Sequence, residues 1–226
     1  MSLPLGVLLS GGGSNLQALI DRIEQGALQA SIRLVVSDNP KAFGLQRAER
    51  HGIPTRVLKP EAYASRQGHD EAVIEALGEA GVRAVALAGY MRLVSRHFVD
   101  AFPGMVLNIH PSLLPSFKGL EAQRQAAEYG VRISGATVHF VDEQLDHGPI
   151  IIQAALAVGQ GIGGEDLKER ILRLEHRIYP QAVQWLAEDR LRVADGKVSL
   201  LPAGRARAEI EGLEPCLIEP FLEEGF

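Results

Sequence analysis

The stretch Met105–Pro115, Met-Val-Leu-Asn-Ile-His-Pro-Ser-Leu-Leu-Pro, constrains the fold more than any other part of the chain. It opens as an apolar strand, and Pro111 and Pro115 stop it from continuing as strand or helix. A strand buried on both faces is nearly all Val, Ile and Leu. Asn108 and His110 break that pattern. They stand two positions apart, so on a strand they share a face. A buried amide or imidazole costs stability unless it finds hydrogen-bond partners. Either residue alone reads equally well as a satisfied core residue. The pair, at the end of one strand, points to a reactive site. Open α/β sheets place their ligand crevices outside the carboxyl ends of central strands, which is where this reading puts both residues.

The chain before this stretch repeats strand, loop and helix. Leu5–Leu9 reads as a first strand, ended by Ser10-Gly11-Gly12-Gly13-Ser14-Asn15, and Leu16, Leu19, Ile20 and Ile23 then follow helical spacing. Ile32–Val36 is a second strand closed by Ser37-Asp38-Asn39-Pro40, and Ala42–His51 a helix stopped by Gly52 and Pro54. Thr55–Leu58 is a short third strand. Ser65 caps a helix to about Ala80, and Gly81 ends it. Arg83–Ala88 is a buried strand, and Ser95 caps a short helix ending at Pro103-Gly104. The repeat predicts an α/β fold, a doubly wound, mostly parallel sheet with right-handed crossovers.

Beyond Pro115 the pattern changes. Glu121–Tyr129 reads as a helix, and Ala136–Val141 and Ile150–Leu156 as strands joined by the polar turn Asp142–Pro149, hence antiparallel. The expected fold is therefore Rossmann-like with an antiparallel C-terminal strand addition. Glu165–Glu188 is a long helix with a kink expected at Pro180. Leu191–Leu200 forms a hairpin about Asp195-Gly196. The tail from Pro202 is charged and proline-punctuated, and little structure is expected there. The boundaries expected are a single domain over 1–200, with a phosphate-binding half of about 1–104 and a catalytic half of about 105–200, and a tail over 201–226.

Three groups of residues carry chemistry. Gly11, Gly12 and Gly13 let backbone amides approach a ligand closely, and Ser14 and Asn15 stand at a helix N-terminus, whose dipole favours an anion. A phosphate monoester suits this loop, and so does a ligand-free tight turn. It is neither the dinucleotide fingerprint nor a Walker loop, since the glycine spacing differs and no Lys follows. Asp142–Pro149 crowds three acids and a His into one turn, and Asp146 is the carboxylate that would stabilise a protonated His110. Metal ligation by these acids is not expected, because no His-x-x-x-His or cysteine cluster accompanies them. Asn108, His110 and Asp146 lack a partnered nucleophile: Ser112 lies between two prolines, not on a strand-to-helix elbow. Direct transfer to an incoming nucleophile is therefore expected. Asn108 would donate to an oxyanion, and His110, tuned by Asp146, would handle protons. His139 reads as a pocket residue or an interior histidine, and Cys216 as an incidental thiol.

A net charge of −5 argues against nucleic acid as a partner. No apolar run reaches the roughly 20 residues of a membrane span, and no signal peptide is evident, so a cytoplasmic protein is expected.

Together, Ser10–Asn15, Asn108–Pro115 and Leu145-Asp146-His147-Gly148-Pro149 resemble the folate-dependent formyltransferase family, and within it the glycinamide ribonucleotide formyltransferases of purine biosynthesis. The likeness runs from about Leu5 to Leu200. It implies the Rossmann-like formyltransferase fold and transfer of formyl from 10-formyltetrahydrofolate, a co-substrate, to the amine of glycinamide ribonucleotide, with no metal. It implies Asn108, His110 and Asp146 as the catalytic trio. Gly12, Gly13, Ser14, Asn15 and Glu175 would hold the phosphoribosyl group. Arg66, Met91, Arg92, Leu93, Val94, Asn108, Val141 and Asp142 would contact folate. The partners implied are these two small molecules, with the chain a monomer or homodimer. Formyltetrahydrofolate hydrolase, or another folate-dependent formyltransferase, is the alternative within the same fold. The hydrolase would carry a further N-terminal domain, and methionyl-tRNA formyltransferase a further C-terminal one.

Overall fold

The computed structural model of the chain describes residues 2–208 and 214–226. It divides into two compact units, Met1–Asn108 with Val141–Glu143, and Ile109–Phe140 with Gln144–Phe226.

The first unit carries β1 (Leu3–Leu9), α1 (Ser14–Glu24), β2 (Ala30–Ser37), α2 (Phe43–Arg50), β3 (Thr55–Val57), α3 (Arg66–Glu79), β4 (Ala84–Leu87), α4 (Arg96–Ala101) and the start of β5 (Val106–His110). The strands lie in the order β3-β2-β1-β4-β5, and every pairing among them is parallel. The chain builds outward from β1 to β3, then returns to the other side of β1 to lay down β4. The point between β1 and β4 is thus a topological switch, the place where open α/β sheets characteristically bind ligands. The central strands β1 and β4 are buried apolar runs, whereas the edge strand β3 is largely exposed. Ser65 caps α3 by accepting from Gly68 N–H at 3.0 Å, and Ser95 caps α4 by accepting from Phe98 N–H at 3.3 Å.

The second unit holds the end of β5, α5 (Ala122–Tyr129), β6 (Ile133–Phe140), β7 (Ile150–Ala157), α6 (Gly164–Ala187), β8 (Leu191–Ala194), β9 (Lys197–Leu200) and β10 (Cys216–Glu219). β6 and β7 pair antiparallel, as the short turn between them demands. β8 and β9 form the expected hairpin, with Asp195 and Gly196 both at positive φ, 50° and 69°. That is the paired left-handed geometry of a two-residue hairpin turn. α6 runs unbroken through the buried Pro180, with Tyr179 and Trp185 also buried on it.

The tail differs from expectation. Residues 209–213 lie outside those described, but Cys216–Glu219 pairs antiparallel with β7, and Leu222 and Phe226 are buried. Four residues between Pro215 and Pro220 carry no periodic signal of their own. They form a strand because β7 offers an open edge of backbone donors and acceptors.

Candidate active site

The glycine loop leaves β1 at the switch point. Gly13 is the N-cap of α1, buried, with φ 70° and ψ 28°. Glycine adopts this left-handed conformation without the cost a Cβ would bring. A Cβ here would also lie 2.5 Å from Gly44 Cα on α2. Ser14 and Asn15 are the first residues of α1, so their amides lack intrahelical acceptors. Across the switch, Ser10 N–H donates to the Gly89 carbonyl at 3.0 Å, and Met91 N–H donates to Ser10 Oγ at 2.9 Å. Two segments that the sequence alone left separate, the loop after β1 and the Met91 segment after β4, are thereby tied together.

Met91 and Leu93 are exposed in that segment, Arg92 is half-buried, and Val94 packs into the first unit's core with Val141 against the same cluster. The segment is held at its far end by Asp70, whose Oδ2 accepts from Ser95 N–H at 2.6 Å. Burial first, then the nearby Asp38 and Asp70 carboxylates, push the Tyr90 phenol up, so it stays a neutral hydrogen-bonding group. Arg66 is the exposed first residue of α3. Val141 donates its N–H to the Val106 carbonyl at 2.9 Å, and Asp142 follows it, half-buried. Asn108, half-buried, pairs in register with Leu87 of β4.

In the second unit, His110 and Asp146 are both buried and face one another, with Nδ1 3.4 Å from Oδ2. The other ring nitrogen, Nε2, lies 2.8 Å from the Phe117 carbonyl. A carbonyl only accepts, so Nε2 carries a proton and donates it. Nδ1 then faces the Asp146 carboxylate. Asp146 itself sits at φ 45°, in the left-handed region that Asp tolerates better than most residues. Its Oδ2 also accepts from Gly119 N–H at 2.8 Å. On the carboxylate's other side, Oδ1 lies 3.8 Å from Nε2 of the buried His139. His139 donates from Nδ1 to the Phe140 carbonyl at 2.7 Å.

The loop after His110 is fixed by Thr137, two residues before His139 on the same face of β6. Its Oγ1 accepts from Leu114 N–H at 3.1 Å and donates to the Ser112 carbonyl at 2.7 Å. Gln153 donates to the same hydroxyl at 3.0 Å and to the Leu114 carbonyl at 3.1 Å. Sequence reasoning leaves His139 open and passes over Thr137. Their shared period-2 face on one strand was the available signal.

Glu175 is buried within α6, and its charge adds to burial in pushing the Tyr179 phenol well up. Among the described residues, no group of three or more His, Cys, Asp or Glu side chains is arranged to hold a metal ion. No helix among them is long and apolar enough to cross a membrane.

Residues 5–183 match the formyl transferase family. The chain is 43% identical over 187 residues to the phosphoribosylglycinamide formyltransferase of Escherichia coli (strain K12), which covers 83% of this chain and 88% of that protein. It is 48% identical over 193 residues to the trifunctional purine biosynthetic protein adenosine-3 of Gallus gallus, a match that takes in 85% of this chain but spans 19% of that longer protein. Among solved structures, glycinamide ribonucleotide transformylase 1 from Symbiobacterium toebii superposes with a TM-score of 0.87 at 50% identity, over 89% of this chain and 95% of that one. With its switch-point glycine loop and buried His110–Asp146 pair, and with these relatives, the chain belongs to the formyl transferase family.

Proposed function

We propose that this protein transfers the formyl group of 10-formyltetrahydrofolate to the amine of glycinamide ribonucleotide in de novo purine biosynthesis. The observation that carries the proposal is the His110–Asp146 pair at 3.4 Å with His110 Nε2 committed to Phe117. It sets an imidazole, two residues beyond Asn108 in the chain, against a carboxylate, and the neighbouring Ser112 Oγ is committed to the Ser116 carbonyl. An imidazole held by a carboxylate, with an amide donor, suits a reaction whose transition state builds negative charge on a carbonyl oxygen.

In this reading the substrate amine attacks the formyl carbon, its C–N bond forms, and the bond from the formyl carbon to the folate nitrogen breaks. The amine gives up one proton and the folate nitrogen takes one. Asn108 donates its side-chain N–H to the developing oxyanion. His110 faces the same charge and shuttles protons, with Asp146 holding its ring. Both His110 nitrogens face protein acceptors, so proton transfer through His110 requires one contact to open. The 3.4 Å contact to Asp146 is the longer of the two. Gly12, Gly13, Ser14 and Asn15 present amides to the ribose phosphate, with Glu175 on the ribose. Arg66, Met91–Val94, Val141 and Asp142 receive the folate. The first half of the chain, about 1–104, thus supplies phosphate binding, and the half from 105 to 200 the chemistry. A cytoplasmic setting and a monomer or homodimer working on small molecules alone complete the proposal.

The test is turnover by the purified protein with both substrates, followed by mass spectrometry. Formylated glycinamide ribonucleotide with stoichiometric loss of formyl-folate is expected. Release of formate without formylated product would replace the transferase with a hydrolase.

A further inference from the structure

We propose that Arg47 is a positioning residue for the substrate phosphate: from α2 it fixes the Gly12 carbonyl and so aims the Gly13 amide into the phosphate cradle. The inference rests on the phosphoribosyl reading of the loop given above.

Three successive loop carbonyls are taken from one stretch of chain, residues 39–47. Asn39 Nδ2 donates to the Ser10 carbonyl at 3.1 Å. Gly44 N–H donates to the Gly11 carbonyl at 3.0 Å. Arg47 Nε donates to the Gly12 carbonyl at 2.9 Å. In a trans peptide the C=O and the following N–H point in opposite directions. Holding these carbonyls toward 39–47 therefore turns the amides of Gly11, Gly12 and Gly13 away from it. No acceptor among the described residues takes those three amides. They form a row with the amides at the start of α1, and successive free N–H groups ending in a left-handed residue make an anion-binding concavity.

The first two pins come from an Asn side chain and a backbone amide. Arg47 alone among the three brings a charge, and its half-buried guanidinium has two further contacts. Its Cζ lies 5.0 Å from the centroid of the Phe43 ring, and its Nη1 donates to Gln17 Oε1 at 3.3 Å. Its stem lies against the loop: a Cβ on Gly13 would sit 3.5 Å from Arg47 Cδ. The bond to Gly12 comes from Nε, the nitrogen within the stem, so its direction is set by the packed chain. Lysine has no donor at that place and acts as a mobile point charge.

The test uses the full-length protein labelled with 15N, unsubstituted and as R47M and R47K. R47M keeps an apolar stem of similar length and removes the Nε donor together with the guanidinium over Phe43. Titration with inorganic phosphate should shift the Gly12 and Gly13 amide resonances saturably in the unsubstituted protein. In R47M the phosphate affinity should fall by about 10- to 100-fold, the range for losing one hydrogen bond to a charged group. R47K should recover only part of it, and in turnover the KM for glycinamide ribonucleotide should rise while the KM for formyl-folate and kcat stay close to their original values. Equal phosphate affinity in all three proteins overturns the proposal, as does full recovery by R47K or a fall in kcat with KM unchanged. An unsubstituted protein whose loop amides respond to phosphate through Arg47, yet which formylates nothing, would overturn the proposed reaction and leave the role of Arg47 standing.

Discussion

Asp146 presents Oδ2 to Nδ1 of His110 at 3.4 Å, while the opposite nitrogen of the same ring donates to the Phe117 carbonyl at 2.8 Å. The Phe117 bond decides what the aspartate does. With Nε2 already donating to Phe117, the carboxylate meets the ring's remaining nitrogen and fixes the ring from its other side.

It follows that Asp146→Asn should act on charge and leave packing alone. The amide is nearly isosteric, and its oxygen can keep the Oδ2 position, where it still accepts from Gly119 N–H and faces Nδ1 without the charge. Formyl transfer should fall by about 10²–10⁴-fold, the usual scale for losing a tuned acid–base group. The thermal midpoint should change little. Single-turnover kinetics beside a melting curve would separate the two, and near-original turnover would remove the role given to Asp146.

Gly12 and Gly13 should respond differently to the same added methyl group. At Gly12 a Cβ meets nothing within 4 Å, and the backbone is not in the left-handed region. At Gly13 φ is 70° and the Cβ would sit 2.5 Å from Gly44 Cα. Gly12→Ala is expected to keep stability and raise the KM for the phosphorylated substrate, because the methyl group occupies the open side of the loop. Gly13→Ala should add about 1–2 kcal/mol of left-handed strain to the backbone clash and lower the melting temperature as well. Paired melting and kinetic measurements on the two variants test the distinction.

How much of this was legible in the sequence depends on where the information resides. The strands, the glycine loop and the polar pair Asn108–His110 are local signals, a run or a spacing within one element, and the structure has the strands where those runs lie. Asp146 stands out in the sequence because a crowded acidic turn is unusual in itself, and the structure sets it against His110. His139 was not committed to, since a lone histidine on a strand is as often interior as functional, and only the fold lays it beside Asp146. Arg47 was invisible for a related reason: an arginine on an amphipathic helix reads as a solvated face. Its bond to Gly12 exists because α2 packs against the loop through Gly44. The strand in the tail depends on β7, an element some 60 residues away in the chain, and no local pattern records such a debt.

The buried ion cluster that holds the tail should dominate the stability of the second unit. Arg190 and Glu223 are both buried and meet as a two-pronged pair at 2.9 and 2.7 Å. Arg190 also reaches Glu188 at 3.0 Å and the Leu201 carbonyl at 2.8 Å, and Arg205 bonds to Glu188. Removing one partner of a buried pair strands the other, at about 3–5 kcal/mol. Arg205 Nε lies 3.6 Å from Glu223 and can take up part of the charge, so Arg190→Met should fall at the low end of that range. Adding Glu223→Leu should recover much of the loss, since an apolar pair carries no desolvation penalty. Urea unfolding of the single and double variants measures the coupling, and a double variant less stable than Arg190→Met would contradict it.

The tail should also loosen in acid, through a second clamp. Arg170 on α6 donates from Nε to Glu214 at 2.7 Å, bonds it again through Nη2, and from Nη2 reaches the Ala157 carbonyl at the end of β7 at 2.7 Å. Glu214 stands two residues before β10, so this arginine joins the start of the tail strand to the strand it pairs with. The hydrogen bond to Arg170 comes first in holding the Glu214 carboxyl below the usual value of 4.5, with the charges of Arg170 and Arg173 adding to it against burial. A carboxylate depressed in the folded state contributes stability that is fully present above its unfolded value and is lost as pH falls through its folded value. The clamp should therefore hold down to about pH 4.5 and release below it. Amide exchange at Leu217 and Ile218, corrected for its intrinsic pH dependence, should accelerate in that acid window while the β1 and β4 amides remain protected. Glu214→Gln should show the faster exchange already at neutral pH and lose the acid step. An acid step of unchanged size in that variant would assign the release to another group.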